Sequence, residues 1–291
     1  MPERETVQLA ARDASAAIAL TGAEPVRWQV GGRDLLWHGD PVHWSYSAPI
    51  LFPVVGSSRD GVVLVQGAEY PMPQHGFARL SRFDIVDRDV DRAHLRLEAG
   101  DATREHYPFR FRLDVTVTLG PEGLRQDFTV QNMGEETMPY ALGVHPAFPW
   151  PLGGPDKDGH CVVFEAEERP EVPEVAPGGL LARSSRVVPI ADRVLPLEPD
   201  LFSEALVFLD ARSRAVSFGA PDESAVDLRT DGFRHLAVWS RPTAPFLSLE
   251  AWTGHADWED AGGELAERAS MIGLAPGESR RHRVTMSYRP A

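Results

Sequence analysis

The sequence predicts an all-β fold, a large antiparallel β-sandwich. Three observations carry that expectation: apolar residues recur with period two, helical periodicity is scarce, and the chain of 291 residues can enclose a large core. Between Phe109 and Leu119 every odd position is apolar and every even one polar. Successive strand side chains point to opposite faces, so this run buries one face and wets the other. A single wet face goes with antiparallel pairing. A TIM barrel or a Rossmann fold needs a helix between successive strands, and the sequence does not supply them.

In chain order, Leu95–Leu97 and Phe109–Leu119 read as strands. Pro121-Glu122-Gly123 then reads as a hairpin turn into the strand-like run Leu124–Val130. Tyr140–Val144 reads as a strand that delivers His145. Residues 165–199 are rich in Pro, Glu and Gly, the composition of a linker between domains. Yet strands of the same pattern resume after it, and it contains Leu180-Leu181 and Val187-Val188, which call for burial. It is read as a long excursion over one sandwich, so that residues 1–291 form a single domain. The later strands are Leu206–Leu209, Ala237–Trp239, Phe246–Leu249 and Val284–Tyr288. The best helical stretch is short, near Glu264–Ala269. There is no internal repeat and no low-complexity tract.

Composition narrows the function classes. The formal net charge is −14, so phosphate backbones and anionic lipid offer no attraction, and neither nucleic acid nor membrane is an expected partner. Cys161 is the single cysteine. It can form no internal disulfide, and its place before Val162-Val163-Phe164 reads as that of a small buried apolar residue. No apolar run approaches the about 18 residues that a membrane helix needs. The start, Met1 to Glu5, is charged and lacks a following apolar stretch, which makes the cytoplasm the expected location.

Three segments break the alternation with clustered His, Pro, Gly, aromatic and acidic residues. They are Pro71 to Arg79 with His75, Gly143 to Trp150 with His145, and Leu247 to Gly254 with Glu250. Functional groups tend to sit where a rigid strand gives way to a loop, and His145 and Glu250 both follow strand-like runs. A carboxylate at the end of an apolar strand is costly to bury without partners or a task. Taken singly, each has a structural reading: a loop-fixing His, a solvated Glu, core aromatics. Together, two imidazoles and a carboxylate among aromatics form the inventory of a sugar site, where ring faces meet aromatics and hydroxyls meet polar groups.

The segments His75-Gly76-Phe77-Ala78-Arg79, Gly143-Val144-His145-Pro146-Ala147-Phe148 and Leu249-Glu250-Ala251-Trp252-Thr253-Gly254 resemble the signatures of the aldose 1-epimerase family, in its LacX-like branch. Ala48 to Gly56 and Ile272 to Ser279 are similar to that branch's early and late segments. The five occur in the family's order. The resemblance implies a galactose mutarotase-like supersandwich and interconversion of the α and β anomers of an aldohexose, without cofactor. It implies Glu250 as the base for the C1 hydroxyl and His145 as the acid for the ring oxygen. His75 is then a substrate-binding residue near the ring oxygen. Arg79 binds a hydroxyl or orients His75, Glu204 falls where a sugar-binding Asp is expected, and Trp252 joins the substrate-binding set. One departure stands out: where the family often has an Arg after Gly56, this chain has Ser57-Ser58.

That chemistry needs one proton removed from O1 and one supplied to O5, and no nucleophile, metal or redox group. The expected partner is a small sugar, with the protein a monomer or homodimer. Four other readings compete with this one. A hexose-phosphate epimerase needs an Arg or Lys cluster, for which Arg79 and Arg82 are available. A silent sugar-binding or regulatory protein would lose the acid or the base. A glycosidase needs two flanking carboxylates. A metal site at His75, His145 and Glu250 lacks the local spacing of a ligand motif.

Overall fold

A computed structural model describes residues 4–291. The alternating runs form a nine-stranded antiparallel sheet. Its spatial order is Val194–Pro196, Cys161–Phe164, Ala215–Gly219, Ala225–Asp231, Ser279–Arg289, Gly123–Asn132, Phe111–Gly120, Arg92–Glu98 and Asp84–Arg88. The central hairpin pairs Leu113 with Val130, Val115 with Phe128 and Leu119 with Leu124 across a turn at residues 121–122. Its odd-numbered residues from Phe111 to Leu119 are all buried. Burying a large apolar side chain is worth roughly 1.5–3 kcal/mol, against roughly 0.2–1 kcal/mol for a cross-strand pair, so the alternation fixes this sheet's register.

A second antiparallel sheet runs in the order Leu206–Phe208, His235–Trp239, Phe246–Trp252, Gly143–Val144 and Ile50–Leu51. Ala147–Pro149 also pairs with Phe246–Trp252. Leu113, Val115 and Phe128 of the large sheet join Leu206, Leu247 and Leu249 of the second in one apolar cluster. The predicted sandwich is therefore present. Four strands between Thr6 and Asp34 form a further sheet.

Several local expectations need correction. Phe246–Leu249 does not end before Glu250; the strand continues to Trp252, which puts the carboxylate in mid-strand. Tyr140–Val144 is not one strand. Met138–Tyr140 pairs with Ile272–Leu274, whereas Gly143–Val144 belongs to the second sheet. Glu264–Ala269 yields only a three-residue 3-10 turn at Leu265–Glu267, and the α-helical turn lies at Asp101–Arg104, stapled by Thr103 Oγ1 to the Gly100 amide at 2.9 Å. Cys161 is half-buried, on a strand between Pro196 and Gly219 neighbours. Within 165–199, Glu171–Ala176 and Leu180–Val187 form a hairpin. Leu181 and Val188 are buried, but Val187, the last residue of its strand, is exposed.

Candidate active site

The strand Phe246–Trp252 is buried at every position, as expected of a strand covered on both faces. Its period-two geometry sorts the residues. Leu247, Leu249 and Ala251 join the main apolar core. Ser248, Glu250 and Trp252 share the opposite face and are linked by hydrogen bonds around one cleft wall.

His145 leaves the end of Gly143–Val144 and lies over this face. Its Nε2 stands 3.2 Å from Glu250 Oε1, and its Nδ1 is 2.8 Å from Ser248 Oγ. Glu250 Oε2 accepts the Trp252 Nε1–H at 3.1 Å. Glu250 is 2% exposed and His145 6%, so little solvent reaches either. Burial pushes the Glu250 carboxyl well above the usual carboxylate range, with the Trp252 hydrogen bond acting the other way. Burial drives the His145 imidazole well below its ordinary value, and nearby His75 and Arg79 act in the same direction.

His75 reaches the cleft from a strained turn. Its φ is 65°, and the following Gly76 has φ 71°. A left-handed His persists only where its surroundings hold it. Here the His75 amide donates to Gly56 O at 2.7 Å, and the Gly56 amide donates back to His75 Nδ1 at 3.1 Å. A Cβ at Gly76 would lie 2.1 Å from Phe52 O, so only glycine fits there. With Nδ1 occupied as an acceptor, neutral His75 carries its proton on Nε2. Burial, then Arg79, lowers its pKa to about 3. The His75 and His145 rings meet edge to face at 5.8 Å.

Aromatic rings close the site. Trp44 lies 4.6 Å from the His145 ring at 30°, and Trp239 meets it edge-on at 5.4 Å. The segment carrying Trp44 is anchored from below. Buried Glu24 accepts the Ser47 and Ala48 amides at 2.6 and 3.0 Å and Arg4 Nη1 at 2.7 Å. Those donors offset the desolvation that would otherwise make a buried carboxylate untenable.

These groups surround a cleft of about 370 Å³, within the rough 300–1,000 Å³ span of small-molecule sites. It gathers His75, Arg79, His145, Glu204, Glu250 and Trp252, all six residues singled out in the sequence. Glu204 Oε2 accepts the Val175 amide at 3.0 Å, tying it to the 171–187 hairpin that walls the cleft through Val175, Gly179 and Leu181. Arg79 donates to Gln74 O at 2.8 Å, and its guanidinium carbon lies 5.0 Å from the Tyr46 ring centre; it braces the His75 turn through backbone and makes no hydrogen bond to the imidazole. Trp252 holds Glu250 through its indole N–H as well as lining the cavity.

Ser57 is not among the cleft-lining residues; it borders a neighbouring groove with Gln74 and Gly178. Arg82 is also outside, in an exposed ion pair with Glu5 at 2.6 Å. Sequence reasoning missed Trp44, Trp239, Arg241 and Ser248. Ser248 had a usable signal, since it lies two residues before Glu250 and therefore on its face. A smaller hollow of about 220 Å³ lies across the hairpin near Arg183 and Trp258, and it contains neither His145 nor Glu250. Among the described residues, no group of three or more His, Cys, Asp or Glu side chains is disposed to hold a metal ion.

Residues 5–287 match the family described as aldose 1-epimerase. The chain belongs to the aldose 1-epimerase family. It is similar to the plasmid-encoded protein LacX of Lactococcus lactis subsp. lactis, with 31% identity over 258 residues, covering 84% of this chain and 86% of the relative. A galactose mutarotase-like protein from Lactobacillus casei superimposes with a TM-score of 0.90 at 26% identity, covering 98% of this chain and all of that one. A galactose mutarotase related enzyme from Lactobacillus acidophilus gives 0.90 at 27%, covering 98% and 97%. Membership in this epimerase family supports an epimerase-type role in sugar chemistry. Among the described residues, no helix is long and apolar enough to cross a membrane.

Proposed function

We propose that this protein is an aldose 1-epimerase that interconverts the α and β anomers of a free aldohexose. The observation that carries the reading is the buried contact between Glu250 Oε1 and His145 Nε2 at 3.2 Å, at the wall of an aromatic-lined cleft. Between them the two groups hold one proton. With that proton on His145, Glu250 is a base and His145 an acid, as ring opening demands. Glu250 takes the proton from O1 while His145 gives its proton to O5. The C1–O5 bond breaks and the C1 carbonyl forms. The pair is then carboxylic acid and neutral imidazole, the state that burial favours for both groups. Rotation about C1–C2 presents the other carbonyl face. O5 attacks C1, His145 recovers the O5 proton, and Glu250 returns its proton to O1. His75, neutral and donating from Nε2, would hydrogen-bond the sugar near O5, and Trp44 or Trp239 offers a face to the apolar side of the ring.

This proton count sets the pH dependence. Loss of the single shared proton leaves a buried anion, which the upward push on Glu250 opposes as pH rises. Gain of a second proton leaves a buried imidazolium without its counter-charge, which the downward push on His145 opposes as pH falls. The expected kcat profile is a broad plateau through neutrality with a fall at each extreme. His75, titrating near 3, adds no limb between about pH 5 and 9. Anomerisation measured by NMR exchange across that range checks this; a sharp bell with a limb near pH 6.5 would count against the shared-proton state.

The expected substrate is a neutral sugar. Phosphate esters recruit several Arg or Lys donors. Arg82 is paired with Glu5 away from the cleft, and Arg79 is committed to Gln74 O and Tyr46. Arg241 is exposed at the cleft rim beside Trp239, where a phosphate ester would meet it. Polarimetry of freshly dissolved α-glucose, α-galactose and other aldoses tests the activity. Comparing kcat/KM for each sugar and its 6-phosphate at low and high salt tests the class. A neutral sugar should be preferred with little salt dependence. A phosphate preference that fades with salt and is lost in Arg241→Ala would replace this reading with the phosphate one.

A further inference from the structure

We infer that Ser248 is a positioning residue: it locks the His145 imidazole with a proton on Nδ1, leaving Nε2 as the nitrogen that exchanges a proton with Glu250 and the sugar. The inference rests on the acid–base reading above but begins from hydrogen-bond bookkeeping alone.

Ser248 Oγ lies 2.8 Å from His145 Nδ1 and 3.0 Å from Pro146 O, and its side chain is fully buried. A hydroxyl has one proton to donate, and a carbonyl oxygen has none. Both short contacts are hydrogen bonds only if Ser248 donates to Pro146 O and accepts from His145 Nδ1–H. The opposite arrangement would set the lone pairs of Oγ and the carbonyl against each other in a place without solvent. The same Pro146 oxygen also accepts the Leu249 amide at 3.1 Å, so a backbone bond to the strand Phe246–Trp252 holds it as a fixed terminus for the relay. Trp44 and Trp239 pack on the ring and keep its plane from turning away from Ser248.

The consequence is chemical. A neutral imidazole with the proton on Nε2 could not take a proton from the sugar or from Glu250 at that atom. With Nδ1–H fixed, Nε2 alternates between lone pair and N–H, as both halves of the cycle require. Ser248 need not touch the sugar to affect the rate. The chain His145 Nδ1–H to Ser248 Oγ–H to Pro146 O crosses from the second sheet's central strand to the segment that carries His145, so strand pairing itself orients the acid.

The test reads tautomer and rate separately. Nitrogen-15 NMR of uniformly labelled protein, with the His145 signals identified by their absence in His145→Asn, should show a protonated, pyrrole-type Nδ1 in the wild type. In Ser248→Ala the Nδ1 signal should move toward the unprotonated, pyridine-type position, with kcat down roughly ten- to a hundredfold and KM within a few-fold, the scale of a lost hydrogen bond to a group that becomes charged. Ser248→Thr and Ser248→Val separate hydroxyl from packing, since they have nearly the same shape. Thr should recover the Nδ1 signal and most of the rate, and Val should behave like Ala. An unprotonated Nδ1 in the wild type overturns the inference, as does an unchanged Nδ1 signal or kcat in Ser248→Ala, or a Val variant equal to Thr. If no aldose is anomerised by the wild type, the proposed function fails, while the tautomer measurement still decides what Ser248 does.

Discussion

Glu250→Gln should reduce kcat for anomerisation roughly a hundred- to ten-thousandfold, about 3–5 kcal/mol of barrier, with KM changed only a few-fold. The amide keeps the shape and can still accept the Trp252 indole N–H now held by Oε2 at 3.1 Å. It cannot take a proton from O1, and it cannot share one with His145 Nε2. Stability should hold or rise, because a neutral amide in a site 2% exposed avoids the desolvation that pushes the carboxyl upward. The measurements are polarimetric progress curves for the substrate identified in the sugar panel, paired with thermal unfolding. A folded variant with a rate within a few-fold of wild type would remove Glu250 from the chemistry. Loss of rate together with loss of the fold would be read through Glu250→Asp, which keeps the carboxylate one methylene short and should retain part of the activity.

His145→Asn should produce a loss of similar size. Asparagine can keep a polar contact with Ser248 but has no group to protonate O5, and it gives up the packing of imidazole against Trp44 and Trp239. Some loss of stability is expected from the smaller side chain, and the fold should survive because the strands on either side are held by backbone pairing. The informative variant is the double one. If Glu250 and His145 act by passing one shared proton, removing both should cost little more than removing the worse of the two. Independent roles would instead give multiplied losses, up to the square of either single effect. Rates for wild type, both single variants and the double variant close this cycle.

The large sheet could be read directly from residues. Phe111 to Leu119 alternate so strictly that a one-residue slip would turn five buried side chains into water, and Pro121-Glu122 can only turn the chain back. The candidate site was legible as three sequence segments with unusual residue types, and the family resemblance ordered them. Their convergence was not legible. Glu250 looked like the end of a strand because it is the first charged residue after the run Phe246–Leu249. Whether pairing continues past it depends on His235–Trp239 and Gly143–Val144, which lie far away in the chain. Val187 looked buried and is exposed, since apolar character does not say which face of a short hairpin meets the core.

What the sequence by itself determined is the fold class, the buried face of the long strands and the residue types needed for acid–base chemistry. These follow from local periodicity and side-chain chemistry, which need no partner. Tertiary structure alone decided which atoms meet. It set Ser248, Glu250 and Trp252 on one face beneath His145, brought in Trp44 through a buried carboxylate 20 residues earlier, and left Arg82 and Ser57 outside the cleft. The physical reason is that desolvation and hydrogen bonding act over a few ångströms, and only the packed sheets bring distant segments that close.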